Sequence, residues 1–311
     1  MQQPRRHNAI AYGAGAIGVA VCAASGADRL AETLRSVLAQ DWPAGGGEVL
    51  VVPYGGDVPP LGGDLRVRVL PAAGGLVAAV QSALAQAATP VLAFIAEGAT
   101  AQPGWLHSLH AAFGALGHYT AAVGGPVRAD WPHPRPGWLG DSLLHWLGLN
   151  DLGGDVRWLG DGELISRGNL AVRVDVLDDI ADLDQAGDPL DLLAVRVRAA
   201  EGRCGYAPDA AVRVPLSPAR LTQGWFRQAA ARRAVRDCDA ARPDNDALAK
   251  RWHSVLAYLR NCPPADRSLR ALFVPQADAA CFSQQLAAVY DSTCCLLGAE
   301  AEIEPWMTRG V

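Results

Sequence analysis

Apolar and polar positions change period several times along this chain, and the changes mark out its elements. Val19–Ala23 is a short apolar run, and after Ser25 and Gly26 the stretch "ADRLAETLRSVLAQDW" repeats Leu30, Leu34, Val37 and Leu38 at helical spacing. That predicts a strand, a turn and an amphipathic helix, which Pro43 and Gly45–Gly47 stop. "EVLVV" at Glu48–Val52 predicts a buried strand, "LRVRVL" at Leu65–Leu70 alternates like a strand with one wet face, and a second helix spans roughly 75–87. "PVLAFIA" at Pro90–Ala96 predicts the next buried strand. "PGWLHSLHAAFGAL" predicts a helix entered through Pro103, with Leu106, Leu109, Ala112, Phe113 and Leu116 on one side. "TAAVGGPV" follows as one strand. A β–α–β–β–α–β order with short connections implies an α/β fold with a mainly parallel, helix-covered sheet.

Regular patterning then stops. Between Arg128 and Gly162, Pro132, Pro134, Pro136, Gly137, Gly140, Gly153 and Gly154 interleave with Trp131, Trp138, Trp146 and Trp158, which predicts a long aromatic loop of functional use. Helical patterning returns from Asp191, with a short strand at Val212–Val214 and helices to the C-terminus.

Composition narrows the function classes. Half of the 311 residues are apolar, which excludes general disorder, and a net charge of −5 with no basic face argues against nucleic acid. The seven cysteines include no C-x-x-C pair, which argues against a zinc site or a disulfide framework and for a reducing compartment. The apolar run from Ala9 is broken by glycines before Val21, so no signal peptide is read. No window approaches the ~18 apolar residues of a membrane span.

Gly13, Gly15 and Gly18 in "AYGAGAIGV" fit the spacing of a dinucleotide-binding turn. The context does not: "VAVCAASG" reads as a strand where a helix should open, and Glu48–Val52 ends in Pro53 and Tyr54 where an acid should meet a ribose. An NAD(P)-binding oxidoreductase is therefore a minor alternative.

With the first strand at Val19–Ala23, the chain resembles the family-two inverting glycosyltransferases of the GT-A fold, over about 19–236. "VAVCAASGADRLAETLRSVLAQDWP", "EVLVVPYGGD", "VLPAAGGLVAAVQSALAQAATPVLAFIAEGATAQPGWL", "VGGPVRADWPHPRPGWL", "GDGELISRGNLAVRVDVLDDI" and "GYAPDAAVRVPLSPARLTQGWFRQAAARR" match that family's segments in order. The resemblance implies a GT-A domain at 19–236, preceded by a leader at 1–18 and followed by a helical extension at 237–311. It also implies a single displacement in which a carboxylate takes the acceptor's proton while a divalent metal, Mg2+ or Mn2+, stabilises the departing nucleoside diphosphate.

Carried over by position, the family's parts are incomplete. Its D-x-D falls on Ala96, Glu97 and Gly98, which leaves Glu97 as the one possible metal ligand. The uracil-reading aspartate falls on Pro53, the following Arg-Asn on Val80 and Gln81, and a late histidine on Val214. The base falls near Pro189 and Leu190, which makes Asp191 the first candidate and Asp188 the second. The resemblance places the donor against Ala23, Ser25, Tyr54 and Glu97, and the acceptor against Gly168 and Asn169; the tryptophans of the 131–158 loop, Trp138 and Trp158 among them, either stack on a sugar or lipid-linked acceptor or pack the loop onto the core. Arg227, Arg232, Arg233 and Arg236 form a basic stripe suited to diphosphate, to anionic lipid heads or merely to solvent.

The resulting expectation is a divergent glycosyltransferase-like protein of bacterial polysaccharide or glycoconjugate assembly, cytoplasmic, with peripheral association at the inner membrane left open. Its partners would be a nucleotide sugar and a glycan or lipid-linked acceptor. The alternative is a catalytically silent paralogue that positions another glycosyltransferase.

Overall fold

The structure, a computed structural model, describes residues 16–24, 27–56, 58, 63–163, 165, 168–176, 193, 197 and 202–307. Eleven strands and six long helices follow one another among them. The first half runs β1 (Ile17–Ala23), α1 (Ala27–Leu38), β2 (Val49–Pro53), β3 (Val67–Val69), α2 (Leu76–Gln86), β4 (Val91–Ile95), β5 (Thr100–Ala101) and α3 (Trp105–Leu116). Then come β6 (Thr120–Gly124), β7 (Val127–Asp130), β8 (Arg157–Trp158), β9 (Asn169–Arg173), β10 (Arg203–Tyr206) and β11 (Val212–Pro215), followed by α4 (Gln223–Ala240), α5 (Asn245–Asn261) and α6 (Ala279–Met307).

Eight strands form the main sheet in the order β3-β2-β1-β4-β9-β6-β10-β8. Strands β3, β2, β1 and β4 pair in parallel, as do β6 and β10, whereas β9 lies antiparallel between β4 and β6. Every residue of β2, β4, β6 and β9 is buried; β2 and β4 read as unbroken apolar runs rather than alternating ones, while β6 and β9 carry the buried polar residues Thr120, Asn169 and Arg173 at their ends. The core gathers Leu50, Val52, Phe94, Leu170 and Val172 from the sheet against Ala79, Val80 and Leu84 of α2. Val80, where the resemblance puts an arginine, is a core residue.

Three sequence expectations change. β1 starts at Ile17, two residues ahead of the expected Val19, so Gly18 lies inside the strand: a Cβ there would meet Thr89 Oγ1 at 2.6 Å, and this glycine makes room for a threonine. Helix α1 begins at Ala27, as the helical spacing predicts, and not at Gly18 where a dinucleotide turn requires it; Gly13 and Gly15 lie outside the described residues. Second, α3 starts at Trp105 after Gly104, whose φ of 80° is left-handed, so a glycine rather than Pro103 turns the chain into the helix. Third, "TAAVGGPV" is two strands. At Gly125 a Cβ would lie 2.0 Å from the Ala210 carbonyl oxygen, and there the chain leaves the main sheet. It then joins a second sheet of order β5-β11-β7. The strands β9 and β10 were not expected from patterning, and the aromatic loop holds a 3-10 helix at Asp141–Leu147 as well as β8.

The chain divides into two compact units: 1–130 with 148–215, and 131–147 with 216–311. In the second, α6 packs against α4 and α5, and Trp138 stands edge-on to Phe226 and Phe282, with ring centroids 5.6 and 4.9 Å away. No helix of the described residues is long and apolar enough to cross a membrane.

Candidate functional site

The strand order fixes where the first unit would hold a ligand. From β1 the chain passes outward to β2 and β3, then returns through α2 to β4 on the other side of β1. Open α/β sheets bind ligands at such a reversal, outside the carboxyl ends of the two strands. Here those ends are Ala24 and Glu97. The Ala24 amide donates to Glu97 Oε2 at 2.8 Å, so the carboxylate ties the end of β1 to the end of β4. Strand β2 closes in from the other side: the Tyr54 amide donates to the Ala23 carbonyl at 2.9 Å, and a Cβ on Gly55 would sit 2.2 Å from the Ala24 carbonyl oxygen. Only a glycine permits that approach.

Helix α1 holds the Glu97 turn in place through its buried face. The Gly98 amide donates to Thr33 Oγ1 at 2.8 Å and the Ala101 amide to Ser36 Oγ at 3.0 Å. Gly98 has a φ of 84°, the left-handed conformation that glycine adopts without strain. A Cβ there would lie 3.5 Å from Arg29 Cδ, so the stem of Arg29 borders the residue after Glu97. Arg29 itself is exposed. Neither Arg29 nor Thr33 was singled out in the sequence, because their approach to Gly98 depends on how α1 docks.

The residues expected on the acceptor side have diverse surroundings. Asn169 is wholly buried, paired in register with Ile95 of β4. Its Oδ1 accepts from Trp105 Nε1 at 2.8 Å, and its Nδ2 donates to the carbonyls of Pro126 at 3.1 Å and Ala210 at 2.6 Å. One amide thus joins α3, the exit from β6 and the entry to β11 beneath the Glu97 turn. The Gly168 carbonyl accepts from the Ala96 amide at 3.3 Å. Trp158 lies on β8 with the Arg203 guanidinium 3.6 Å from its ring centroid, and Trp138 belongs to the second unit. Near β8, burial pushes the Tyr206 phenol up to about 12; it donates to Asp151 Oδ1 at 3.3 Å and accepts from the Leu152 amide at 3.0 Å. Ser25, Asp188 and Asp191 lie outside the described residues.

The donor set tests a metal. A hard divalent cation takes about six oxygen ligands, commonly two or more from carboxylates. The positions 96–98 supply one carboxylate, and its Oε2 already accepts a backbone N–H. Among the described residues no three His, Cys, Asp or Glu side chains cluster as a metal site would require. These residues do not fit a chelated metal.

No protein-family model matches the chain, and no curated protein matches it. Among solved structures it is similar to the mannosyltransferase PcManGT from Pyrobaculum calidifontis, in complex with GDP-Man and Mn2+, with a TM-score of 0.58 and 16% identity over 95% of this chain and 91% of that one. It is also similar to GalNAc-T7 with UDP, GalNAc and Mn2+, with a TM-score of 0.47 and 14% identity over 69% of this chain and 47% of that one. At such identity the likeness is one of architecture, and the chain has the GT-A fold of glycosyltransferases.

Proposed function

We propose that the protein is a nucleotide-sugar-dependent glycosyltransferase whose donor lies at the carboxyl ends of β1, β2 and β4. The observation that carries this reading is the Ala24–Glu97 hydrogen bond, which brings the only acid of the D-x-D position to the reversal point of the sheet. In the reaction, an acceptor hydroxyl oxygen bonds to the anomeric carbon as the bond from that carbon to the diphosphate oxygen breaks. The electron pair leaves with the nucleoside diphosphate, and a carboxylate takes the hydroxyl proton. Asp191 is the proposed base.

Glu97 fixes the turn and faces the donor's ribose, and Tyr54 borders the nucleobase. Arg29 supplies positive charge to the diphosphate, a task for which a guanidinium is well shaped. No step passes through a metal. The lost acid partner of Glu97 also favours a second reading, a silent paralogue that positions another transferase.

Calorimetry of the full chain against a panel of nucleotide sugars, with EDTA and with Mn2+, separates the two. Micromolar binding of at least one donor, little changed by the metal, is expected. Failure to bind any donor overturns the enzymatic reading, and unchanged transfer by Asp191→Asn removes Asp191 as the base.

A further inference from the structure

A cavity of about 670 Å3 opens within the second unit, between α4, α5, α6 and the turn Leu269–Phe273. Its size falls in the ~300–1,000 Å3 range of pockets that enclose small molecules. The walls are apolar, with Ala231, Trp252, Leu269, Phe273, Val289 and Leu296 among them. Phe273 is 68% exposed and Leu296 64%, values that a closed core does not show. Apolar surface gathered in this way around a concavity marks a place where something binds.

Arg227 is the one charged side chain in the described lining. Among the described residues its hydrogen bonds go to neutral oxygens. Nε and Nη2 donate to Gln285 Oε1 at 3.1 and 3.0 Å, and Nη2 also donates to Gln223 Oε1 at 3.1 Å and to the Val274 carbonyl at 3.0 Å. Gln285 is wholly buried, and its Nε2 donates to the carbonyls of Ala271 at 2.7 Å and Val274 at 2.8 Å, which fixes the amide that orients the arginine. Arg227 makes no ion pair among the described residues, whereas Arg233 of the same helix meets Asp237 at 3.5 Å. Burial pushes the Arg227 pKa below the ordinary arginine range. A guanidinium held without a counter-charge at an apolar wall is costly by itself, and an anion seated against it removes the cost.

We infer that this cavity binds an anionic amphiphile, a single aliphatic chain whose acidic head meets the Arg227 guanidinium. The walls select the chain by the area they take from water, and the cation selects the head. This site is separate from the proposed donor site, and neither reading depends on the other.

The test is calorimetry of the full chain with laurate, dodecyl phosphate, dodecyltrimethylammonium and dodecanol, each below its micelle-forming concentration. The two anions are expected to bind one per chain and at least ~10-fold more tightly than the cation or the alcohol. Their order identifies the preferred head as carboxylate or phosphate. Arg227→Gln removes the preference for anions. Ala231→Trp fills the cavity, leaves the partners of Arg227 in place and weakens all four ligands, so the proposal stays testable if Arg227→Gln does not fold. Equal binding of anion and cation overturns it, as does unaltered binding to Ala231→Trp. Sedimentation showing that the wild type self-associates and that Leu296→Glu is monomeric also overturns it, because the face is then an interface between copies.

Discussion

The strand ends around Glu97 and the helical cavity around Arg227 each centre on one charged side chain, yet the two charges are satisfied in opposite ways. Glu97 accepts a backbone N–H from the next strand, among small residues that bring the chain close. Removing it unties two strand ends. Arg227 donates to side-chain amides and a carbonyl along an apolar wall, with no acid nearby among the described residues. Removing it takes the donors from the buried Gln285 Oε1 and discharges the wall. A charge bonded to backbone serves the frame as well as any ligand, whereas a charge bonded to neutral side chains along an apolar wall points to a ligand of opposite sign.

The contrast is tested most severely beneath the Glu97 turn. Asn169→Leu keeps the volume but leaves Trp105 Nε1 and the carbonyls of Pro126 and Ala210 without their partner, at a cost of about 3 kcal/mol or more in urea unfolding. A smaller loss would mean that the frame under the site is not held by this amide. Glu97→Ala should cost about 1–3 kcal/mol and speed hydrogen exchange at the Ala24 amide, with Glu97→Gln retaining part of both. Unchanged exchange would cancel the structural half of the comparison. Arg227→Gln should alter stability by less than about 1 kcal/mol in either direction, since the donors lost to Gln285 Oε1 are offset by relief of a half-buried cation that has no acid partner among the described residues.

The smallest effect lies outside both regions and calibrates them. The Arg66 side chain donates twice to Asp64 and holds its carboxyl at about 2, below the ~3.9 of an unfolded chain. The unfolded state then binds more protons between those values, so the pair's stabilisation is complete above pH ~4 and lost as pH falls toward 2. Asp64→Asn should flatten the dependence of stability on pH in that window and nowhere else, as read from urea midpoints between pH 5 and pH 2.5.

Local pattern gave most of the first half of the fold. Apart from β5, and from α1, which ends at Leu38 and not at Trp42, the elements from β1 to α3 lie within about two residues of their predicted bounds, because buried runs and helical spacing are written in consecutive residues. Strands β5 and β8, of two residues each, exist only through pairing partners far along the chain. The place of Glu97 was legible from the order of segments. The roles of its neighbours were not: Thr33 reaches Gly98 across 65 residues and Asn169 reaches Trp105 across 64, distances over which no periodicity carries information. The basic stripe on α4 was visible as four arginines, but what separates Arg227 from Arg233 is a glutamine 58 residues further on.

The interleaving of the two units bears on how the chain is made. Residues 131–147 are synthesised between two parts of the first unit but belong with helices that come after Leu216. When domains fold in order as they emerge, Trp138 must wait for Phe226 and for Phe282, which follows after most of the remaining chain. A chain cut after Pro215 would keep the sheet and carry an orphaned aromatic segment, so poor solubility of such a fragment would report this missing cover and not a failure of the GT-A sheet.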